Sequence, residues 1–120
     1  MKLLDSNILI YAPQPTFAHL LPLLLDPHCF VSDFTRLEVL GFHRLTAVEK
    51  TYYERVFLHI TILPVTKDII DLAIQYRQTR KMSAGDSIHA ATAMLNSLEL
   101  LTRNVSDFSF ISGLEVHDPI

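Results

Sequence analysis

Short apolar runs alternate with helical segments along the whole chain, and this alternation is the feature that most constrains the fold. Each run has the length of a strand, and turn residues or helix caps bound it. Strands that alternate with helices are typical of an α/β fold with a mainly parallel sheet. We therefore predict a five-stranded sheet of this kind. The predicted strands are Lys2–Asp5, His28–Val31, Thr61–Val65, Glu99–Thr102 and Leu114–Val116.

Helix starts are marked by capping residues at four places. Thr46 and Glu49 have the spacing of a capping box, in which each side chain bonds the backbone N–H of the other residue. The helix that Ser32 caps is expected to run to about His43. Ala18–Leu25 is a further helix candidate. The four predicted caps are Ser32, Thr46, Thr66 and Ser83.

The composition fits one globular domain that spans residues 1–120. Hydrophobic residues make up 49% of the chain and charged residues 19%, which excludes a disordered chain. Cys29 is the only cysteine, so no internal disulfide is possible and a reducing compartment fits best. The N-terminus does not read as a signal peptide, and the longest apolar stretch, Phe17–Leu25, falls far short of the ~20 residues of a spanning helix. We expect a cytoplasmic protein without a membrane partner.

The net charge of −3 narrows the possible partners only in part. This acidic balance argues against a general nucleic-acid coat protein, which needs an excess of Lys and Arg. It does not exclude an enzyme that acts on nucleic acid. Such an enzyme can screen its acidic site with metal and use a few local basic residues.

Four carboxylates that are far apart in the sequence are predicted to meet at one edge of the sheet. Ligands of open α/β sheets bind beyond the carboxyl ends of the strands. Asp5 ends the first strand, Asp107 lies in the loop after the fourth, and Glu38 falls in the second turn of the helix after the second. Asp86 opens the helix that feeds the fourth strand, and a parallel sheet requires that helix to begin at the same edge.

Such a cluster needs a positive charge to hold it together, because neighbouring carboxylates raise each other's pKa values. The hard ions Mg²⁺ and Mn²⁺ prefer oxygen ligands, so the acids predict a metal site, with a phosphodiester as the most plausible substrate. Each acid also has a purely structural interpretation: Asp86 as a helix cap, Glu38 as a solvated helix residue and Asp107 as a loop residue. Asp5 resists this interpretation, since a charge inside an apolar run is costly without a compensating role.

Four segments resemble the PIN-domain ribonucleases, in the order and spacing of that family. They span nearly the whole chain, from Leu3 to Val116, and the compact single-domain form is similar to the VapC toxins of bacterial toxin–antitoxin pairs. The resemblance implies a three-layer fold with a five-stranded parallel sheet flanked by helices, and Mg²⁺- or Mn²⁺-dependent endoribonuclease activity. The segments are Leu4–Leu9, the helix with Leu37, Glu38 and Leu40, Gly85–Ala93, and Leu101–Phe108.

The resemblance implies a role for each acid, because the acidic quartet of the family maps onto Asp5, Glu38, Asp86 and Asp107. Asp5 and Asp86 are the first candidates for direct metal ligands, with Asp107 completing the site. Glu38 is expected either to bind a second ion or to orient the attacking water as a base.

Several polar residues near the acids are expected to support the site. The accessory positions of the family map onto Ser6, after the first aspartate, and onto Thr102 or Asn104, after the fourth strand. Arg103 is expected either to touch the scissile phosphate or to be a solvated surface arginine. His89 follows the third acid by one helical turn and is expected to pack or to lie at the substrate edge. A zinc site at His89 would need further His or Cys ligands, and none is evident.

The resemblance also implies three partners. RNA is the expected substrate, and a cognate antitoxin is expected to lay its C-terminal segment across the acidic edge with a basic side chain among the carboxylates. A homodimer is expected as well. The helices Ala18–Leu25 and Thr46–His59 are its candidate contacts, with plain core packing as the alternative.

Three other functions are compatible with the sequence. A stand-alone PIN nuclease without an antitoxin is the nearest alternative. A non-catalytic PIN-like module that binds RNA or protein is a second, although such a module normally lacks one or more of the acids. The third is a metal-dependent phosphatase or related phosphoryl-transfer enzyme, and the absence of a glycine-rich phosphate loop disfavours nucleotide binding.

Overall fold

A computed structural model describes residues 1–120 and contains one five-stranded sheet. The strand order is β3-β2-β1-β4-β5, and every neighbouring pair is parallel. The predicted α/β architecture is therefore confirmed. The strands are β1 (Lys2–Leu4), β2 (Cys29–Ser32), β3 (Thr61–Leu63), β4 (Glu99–Leu101) and β5 (Val116–His117).

Helices fill most of the connections between the strands. None of them combines the length with the apolar character that crossing a lipid bilayer requires. The α-helices are α1 (Ser6–Tyr11), α2 (Leu21–Leu25), α3 (Asp33–Leu40), α4 (Ala47–His59), α5 (Lys67–Thr79) and α6 (Ala84–Leu95). Two 3₁₀ helices span Pro15–Leu20 and Val105–Asp107.

The predicted capping residues begin the helices as expected. Thr46 Oγ1 accepts a hydrogen bond from Glu49 N at 3.1 Å, and Glu49 Oε1 accepts one from Thr46 N at 3.0 Å, which completes the capping box of α4. Ser32, Thr66 and Ser83 cap α3, α5 and α6 through their hydroxyl oxygens. Each cap satisfies an N–H group that the first turn of a helix leaves without an intrahelical partner.

Successive residues of the central strands face opposite sides of the sheet and contribute to separate core clusters. Leu4 and Leu101 pack with residues from α1 to α4, whereas Leu3 and Leu100 pack with α6. All four leucines are at most 2% exposed, and each such burial stabilises the fold by about 1.5–3 kcal/mol. Helices therefore cover both faces of the sheet, which is the three-layer arrangement that the sequence implied.

Helix α6 lies close to the sheet because its buried face carries alanines. Ala90 and Ala93 are fully buried and belong to the same cluster as Leu3 and Leu100 of the central strands. A methyl side chain adds little thickness to a helix, so the α6 backbone approaches the strands closely. This packing holds the first turn of α6, with Asp86, against the rest of the fold.

Helix α3 is shorter than predicted. It was expected to reach about His43, but it ends at Leu40 and Gly41 follows as its C-cap. A Cβ at Gly41 would clash with the Leu37 carbonyl oxygen, so a larger residue would force the chain to shift. Glycine also has a low helix propensity.

The segment Ala18–Leu25, predicted as one helix, is divided into two. The 3₁₀ helix that begins at Pro15 ends at Leu20, and α2 begins at the next residue. Pro22 stands in the first turn of α2, where proline is tolerated because its missing N–H would have no partner there. The same missing donor prevents one continuous ladder of helical hydrogen bonds through the segment.

Cys29 is buried in β2 and unpaired. Burial raises the pKa of its thiol, and the thiolate is the reactive form of cysteine. The structural interpretation of this residue is therefore supported. The cytoplasmic location inferred from the cysteine content stays a prediction.

Candidate active site

Asp5 stands at the junction of β1 and α1, at the carboxyl edge of the sheet. Its backbone N–H donates to Leu101 O at 2.9 Å, which ties the end of β1 to β4. The residue is only 6% exposed, and its Oδ2 accepts a hydrogen bond of 2.7 Å from Thr102 Oγ1. Because Thr102 is fully buried, its hydroxyl fixes the orientation of the carboxylate. The expected supporting residue Thr102 thus contacts the first acid directly.

Glu38 lies in the second turn of α3 and reaches the start of α1. Its Oε1 lies 2.7 Å from Ser6 Oγ and 2.8 Å from His89 Nε2. Ser6 Oγ is also 3.0 Å from Thr35 Oγ1, a buried hydroxyl one turn earlier on α3. Burial opposes the charge on Glu38, but the hydrogen bonds from His89 and Ser6 outweigh it and hold the pKa of Glu38 below its usual value. Glu38 is therefore ionised at neutral pH and fixed in position.

Gly85 allows Glu38 to come close to the first turn of α6. A Cβ at Gly85 would lie 3.0 Å from Glu38 Oε2 and 3.2 Å from a ring carbon of Phe34, which is tighter than side chains normally pack. Any larger residue at this position would have to push Glu38 or Phe34 aside. The absence of a side chain on Gly85 thus brings α3 and its carboxylate next to Asp86.

His89 lies beneath the acids and connects two of them. Its Nε2 is 2.8 Å from Glu38 Oε1 and 3.6 Å from Asp5 Oδ1, and the residue is 1% exposed. Burial by itself would lower the pKa of His89, but the hydrogen bond to Glu38 and the charge of Asp5 raise it above its usual value. His89 Nδ1 is buried without a hydrogen-bond partner, so the Nε2 contacts decide how the ring is oriented.

His89 was predicted to pack or to lie at the substrate edge, and its contact with Glu38 was not predicted. Thr35, which supports Ser6, was not singled out at all. The available signal was a histidine in the alanine-rich helix α6, since a polar residue needs a partner when buried. The identity of that partner depends on how α6 meets α3, which no local pattern contains.

Asp86 is half-buried in the first turn of α6, and the charges of two other acids, Asp5 and Asp107, act on its carboxylate. Burial raises the pKa of Asp86, and the nearby charges of Asp5 and Asp107 raise it further, against a smaller opposing effect of His89. Asp107 is exposed, ends the 3₁₀ helix after β4, and lines one cleft together with Asp86. Three acids from three separate elements therefore act on one another at this edge, and Glu38 joins Asp5 through Ser6 and His89.

The loop after β4 places the remaining predicted residues. Asn104 contributes its backbone N–H, which donates to Thr102 Oγ1 at 3.1 Å, and so supports the hydroxyl that holds Asp5. Arg103 turns toward the aromatic rings of α1 and the following 3₁₀ helix. Its Cζ lies 4.9 Å from the Tyr11 ring centroid and 6.0 Å from that of Phe17, the geometry of a cation–π contact. Its role in substrate binding stays a prediction.

The chemistry of these residues suits a hard divalent ion. The site presents carboxylate and hydroxyl oxygens, which Mg²⁺ and Mn²⁺ prefer, and it gathers the negative charge of several carboxylates. No three of the Asp, Glu, His and Cys side chains are already arranged as a closed set of metal ligands. The assignment of Asp5, Asp86 and Asp107 as ligands of one ion therefore stays a prediction.

Divalent metal is expected to raise the melting temperature of the protein. In the metal-free state the charges of Asp5, Asp86 and Asp107 repel, and an ion that binds only the folded state stabilises it by mass action. Millimolar Mg²⁺ or Mn²⁺ should shift the unfolding curve upward by several degrees in differential scanning calorimetry. Asp86→Asn should melt higher than wild type without metal and should gain less when metal is added.

Asp26→Asn is the matched control for this measurement. Asp26 precedes β2 at the opposite edge of the sheet, and its Oδ1 accepts a hydrogen bond from His28 N that an asparagine oxygen can also accept. The Asp26 variant should respond to metal as the wild type does. Melting curves that metal leaves unmoved would mean that the acids do not form a shared site.

The fold and the site define a class: a three-layer α/β domain with acids gathered at the carboxyl edge of a parallel sheet. The family model of the PIN domain matches residues 2–111. The chain belongs to the PIN-domain family, whose members are nucleases that generally use divalent metal ions. Comparison of the sequence with curated proteins finds no significant match.

Solved structures of toxin–antitoxin complexes resemble the chain over its whole length. A chain of a toxin–antitoxin complex from Klebsiella pneumoniae is 30% identical with a TM-score of 0.81, and the match covers 100% of this chain and 98% of that one. A chain of FitAcB from Neisseria gonorrhoeae is 27% identical with a TM-score of 0.76, covering 99% and 98%. DNA-bound VapBC from Salmonella typhimurium, at 18% identity, shares the fold with a TM-score of 0.82, covering 98% of each chain. The predicted resemblance to VapC-type PIN toxins is confirmed.

Proposed function

We propose that this PIN domain is a Mg²⁺- or Mn²⁺-dependent endoribonuclease and the toxin of a toxin–antitoxin pair. The observation that carries the proposal is the convergence of four carboxylates from distant parts of the chain on one open edge. Thr102 holds Asp5, while Ser6 and His89 hold Glu38. A protein that used these acids only for solubility would have no reason to gather and buttress them, because their mutual repulsion is destabilising.

The ion would be held by Asp5, Asp86 and Asp107, and when bound it would lower the pKa of a coordinated water and neutralise charge on the phosphate. The protein side chains hold these carboxylates in position. Thr102 keeps Asp5 from rotating away. Glu38 has a lowered pKa and is therefore available as a charged hydrogen-bond acceptor, suited to orient the attacking water, while the same lowered pKa makes it a weak base. His89, by fixing Glu38 Oε1, determines where that acceptor stands.

Cleavage of single-stranded RNA in the presence of Mg²⁺ or Mn²⁺ is the expected activity of the purified protein. The acids cannot approach a phosphate without a counter-charge, so removal of metal should stop the reaction. The measurement is the appearance of internal cleavage products from a labelled RNA on a denaturing gel, with and without EDTA. Restoration by an excess of Mg²⁺ after chelation is the control for protein damage, and undiminished cleavage in EDTA would refute the metal mechanism.

An antitoxin partner is supported by the fact that similar chains are found in toxin–antitoxin complexes. The complex from Klebsiella pneumoniae, similar over the full length of both chains at 30% identity, is described as a toxin–antitoxin complex. An inhibitor would act best across the acidic edge, where an arginine can bind carboxylates through two parallel hydrogen bonds. A stand-alone PIN nuclease would share the same fold and site and would differ only in lacking this inhibitor.

A homodimer is supported by apolar side chains that the isolated chain leaves in water. Leu25 of α2 is 77% exposed, and Val48 and Leu58 of α4 are 80% and 82% exposed. These residues belong to the two helices that the sequence nominated as dimer contacts, and they do not belong to the core. Analytical ultracentrifugation of the wild type and of a Leu58→Glu variant is the direct measurement of this association.

A non-catalytic binding module is the second candidate function. It would explain the fold, but all four acids are present and hydroxyl or imidazole groups orient two of them, which a binding module does not require. The same RNA assay separates the two candidates, because a module of that kind would bind RNA and leave it intact under every metal condition.

A further inference from the structure

A cleft of about 550 Å³ is lined by two of the acids and by basic side chains. Its lining includes Asp86 and Asp107 together with three cations, Arg77, Arg80 and Lys81, which form the basic wall of the cleft. The volume is within the ~300–1,000 Å³ typical of ligand sites. Three of the ten Lys and Arg residues of an otherwise acidic chain are therefore concentrated within five positions at the border of the candidate active site.

None of these three cations is used in an ion pair. The ion pairs of the structure involve Arg36, Lys67 and His89, although two carboxylates line the same cleft as the three cations. All three side chains are exposed. Cations that gather without carboxylate partners repel each other, so a concentration of this kind indicates an anionic ligand from outside the chain.

Two of the cations are nevertheless held in place. Arg77 Nε donates to Met82 O at 3.2 Å, which fixes the guanidinium across the loop between α5 and α6. The Cζ of Arg80 lies 5.1 Å from the centroid of the Phe110 ring, a cation–π contact. These contacts leave the terminal nitrogens of both guanidinium groups for a ligand. Arginine offers a planar fork that matches the geometry of phosphate oxygens.

We propose that Arg77, Arg80 and Lys81 bind the sugar–phosphate backbone of single-stranded RNA next to the phosphate that is cut. This inference rests on the proposed nuclease function and names the site that holds the substrate. The acids with their metal take the scissile phosphate, and the basic wall of the cleft takes a neighbouring phosphate. The chain thereby retains a polyanion despite its net charge of −3, and the contacts to phosphate carry no preference for one base over another.

The test compares two double variants with the same net charge. Arg80→Ala/Lys81→Ala removes two cations of the cleft. Arg44→Ala/Lys67→Ala removes one arginine and one lysine that lie outside it; Arg44 is exposed in the loop before α4, and Lys67 forms only an exposed ion pair with Asp71. Fluorescence anisotropy of a labelled single-stranded RNA is measured in EDTA over a series of salt concentrations, where no cleavage occurs.

The cleft variant should bind the RNA roughly tenfold more weakly than wild type at low salt, and the slope of log Kd against log salt should fall by about 0.7 for each cation removed. The control variant should behave as wild type. Lys81→Ala alone keeps the test valid if the loss of Arg80 from the Phe110 ring unfolds the double variant, with Lys67→Ala as its control. Equal affinities and slopes for cleft and control variants would overturn the proposal.

The cleavage assay, run on the same proteins, separates this inference from the proposed function. Cleavage by wild type together with equal RNA binding by both variants would refute the cleft and leave the nuclease standing. No cleavage by any protein, with binding weakened only in the cleft variant, would refute the nuclease and uphold the RNA site. Unchanged RNA binding with loss of affinity for a glutamate-rich peptide would overturn the proposal in favour of an acidic protein segment as the occupant.

Discussion

Asp86→Asn is expected to lower the rate of RNA cleavage by roughly 1,000-fold, since a metal ion supplies several kcal/mol of charge stabilisation and each ~1.4 kcal/mol is tenfold in rate. Asparagine keeps the size of the side chain and removes the charge that an ion requires. The helix start should survive, because Ser83 Oγ is bonded to the backbone N–H of Asp86, at 3.0 Å. The measurement is the single-turnover rate with saturating protein and Mg²⁺. Asp5→Asn should have a comparable effect.

Asp26→Asn is again the matched control, because it makes the same chemical change at the opposite edge of the sheet and should leave the rate unchanged. Circular dichroism and melting curves of all three variants exclude loss of fold as the cause of lost activity. The Asp86 variant should be at least as stable as wild type without metal, since the charges of Asp5 and Asp107 disfavour an ionised Asp86. Wild-type rates in both Asp5→Asn and Asp86→Asn would remove these residues from the site.

Expression of the chain alone in bacteria is expected to arrest growth, and co-expression of a small neighbouring gene is expected to restore it. An uncontrolled ribonuclease destroys the RNA of its own cell, so a toxin of this kind requires a tight inhibitor. The expected inhibitor places a basic side chain among Asp5, Glu38, Asp86 and Asp107 and so neutralises the edge that metal and RNA need. Colony counts and growth curves after induction are the measurement.

The Asp86→Asn variant gives this experiment its control, because it should be produced at the same level and leave growth normal. Arrest by that variant as well would mean that toxicity does not come from the proposed chemistry. Normal growth with soluble wild-type protein that cleaves RNA in extracts would favour a stand-alone nuclease without an antitoxin.

Local interactions made much of this fold predictable. The capping box of Thr46 and Glu49 joins residues three positions apart, and the structure contains it as the sequence predicts. The adjacent residues Leu3 and Leu4 point to opposite faces of β1 because successive side chains of a strand do so, and both are fully buried. The prediction failed at the end of one helix. The helix capped by Ser32 was predicted to run to about His43, but α3 ends at Leu40 and Gly41, a residue of low helix propensity, is its C-cap.

The four acids of the candidate site could be nominated from the sequence because one topological rule places them together: strand ends and the helices that begin there share an edge of a parallel sheet. The hydrogen bonds that orient these acids could not be predicted from the sequence. Thr102 contacts Asp5 across 97 positions of sequence, and His89 contacts Glu38 across 51. Such contacts depend on which strands are neighbours and how closely two helices approach.

The sequence by itself determined most of the helices and strands, their parallel direction and the types of residue available for chemistry, because capping, periodicity and backbone preference act over a few positions. Only the tertiary structure decided the order β3-β2-β1-β4-β5, the burial of His89 between Asp5 and Glu38, and the cleft that basic side chains share with Asp86 and Asp107. These features arise when long-range packing selects one arrangement among several that satisfy the same local rules. The free energy that selects it comes from the shared core, to which every element contributes and which no single segment encodes.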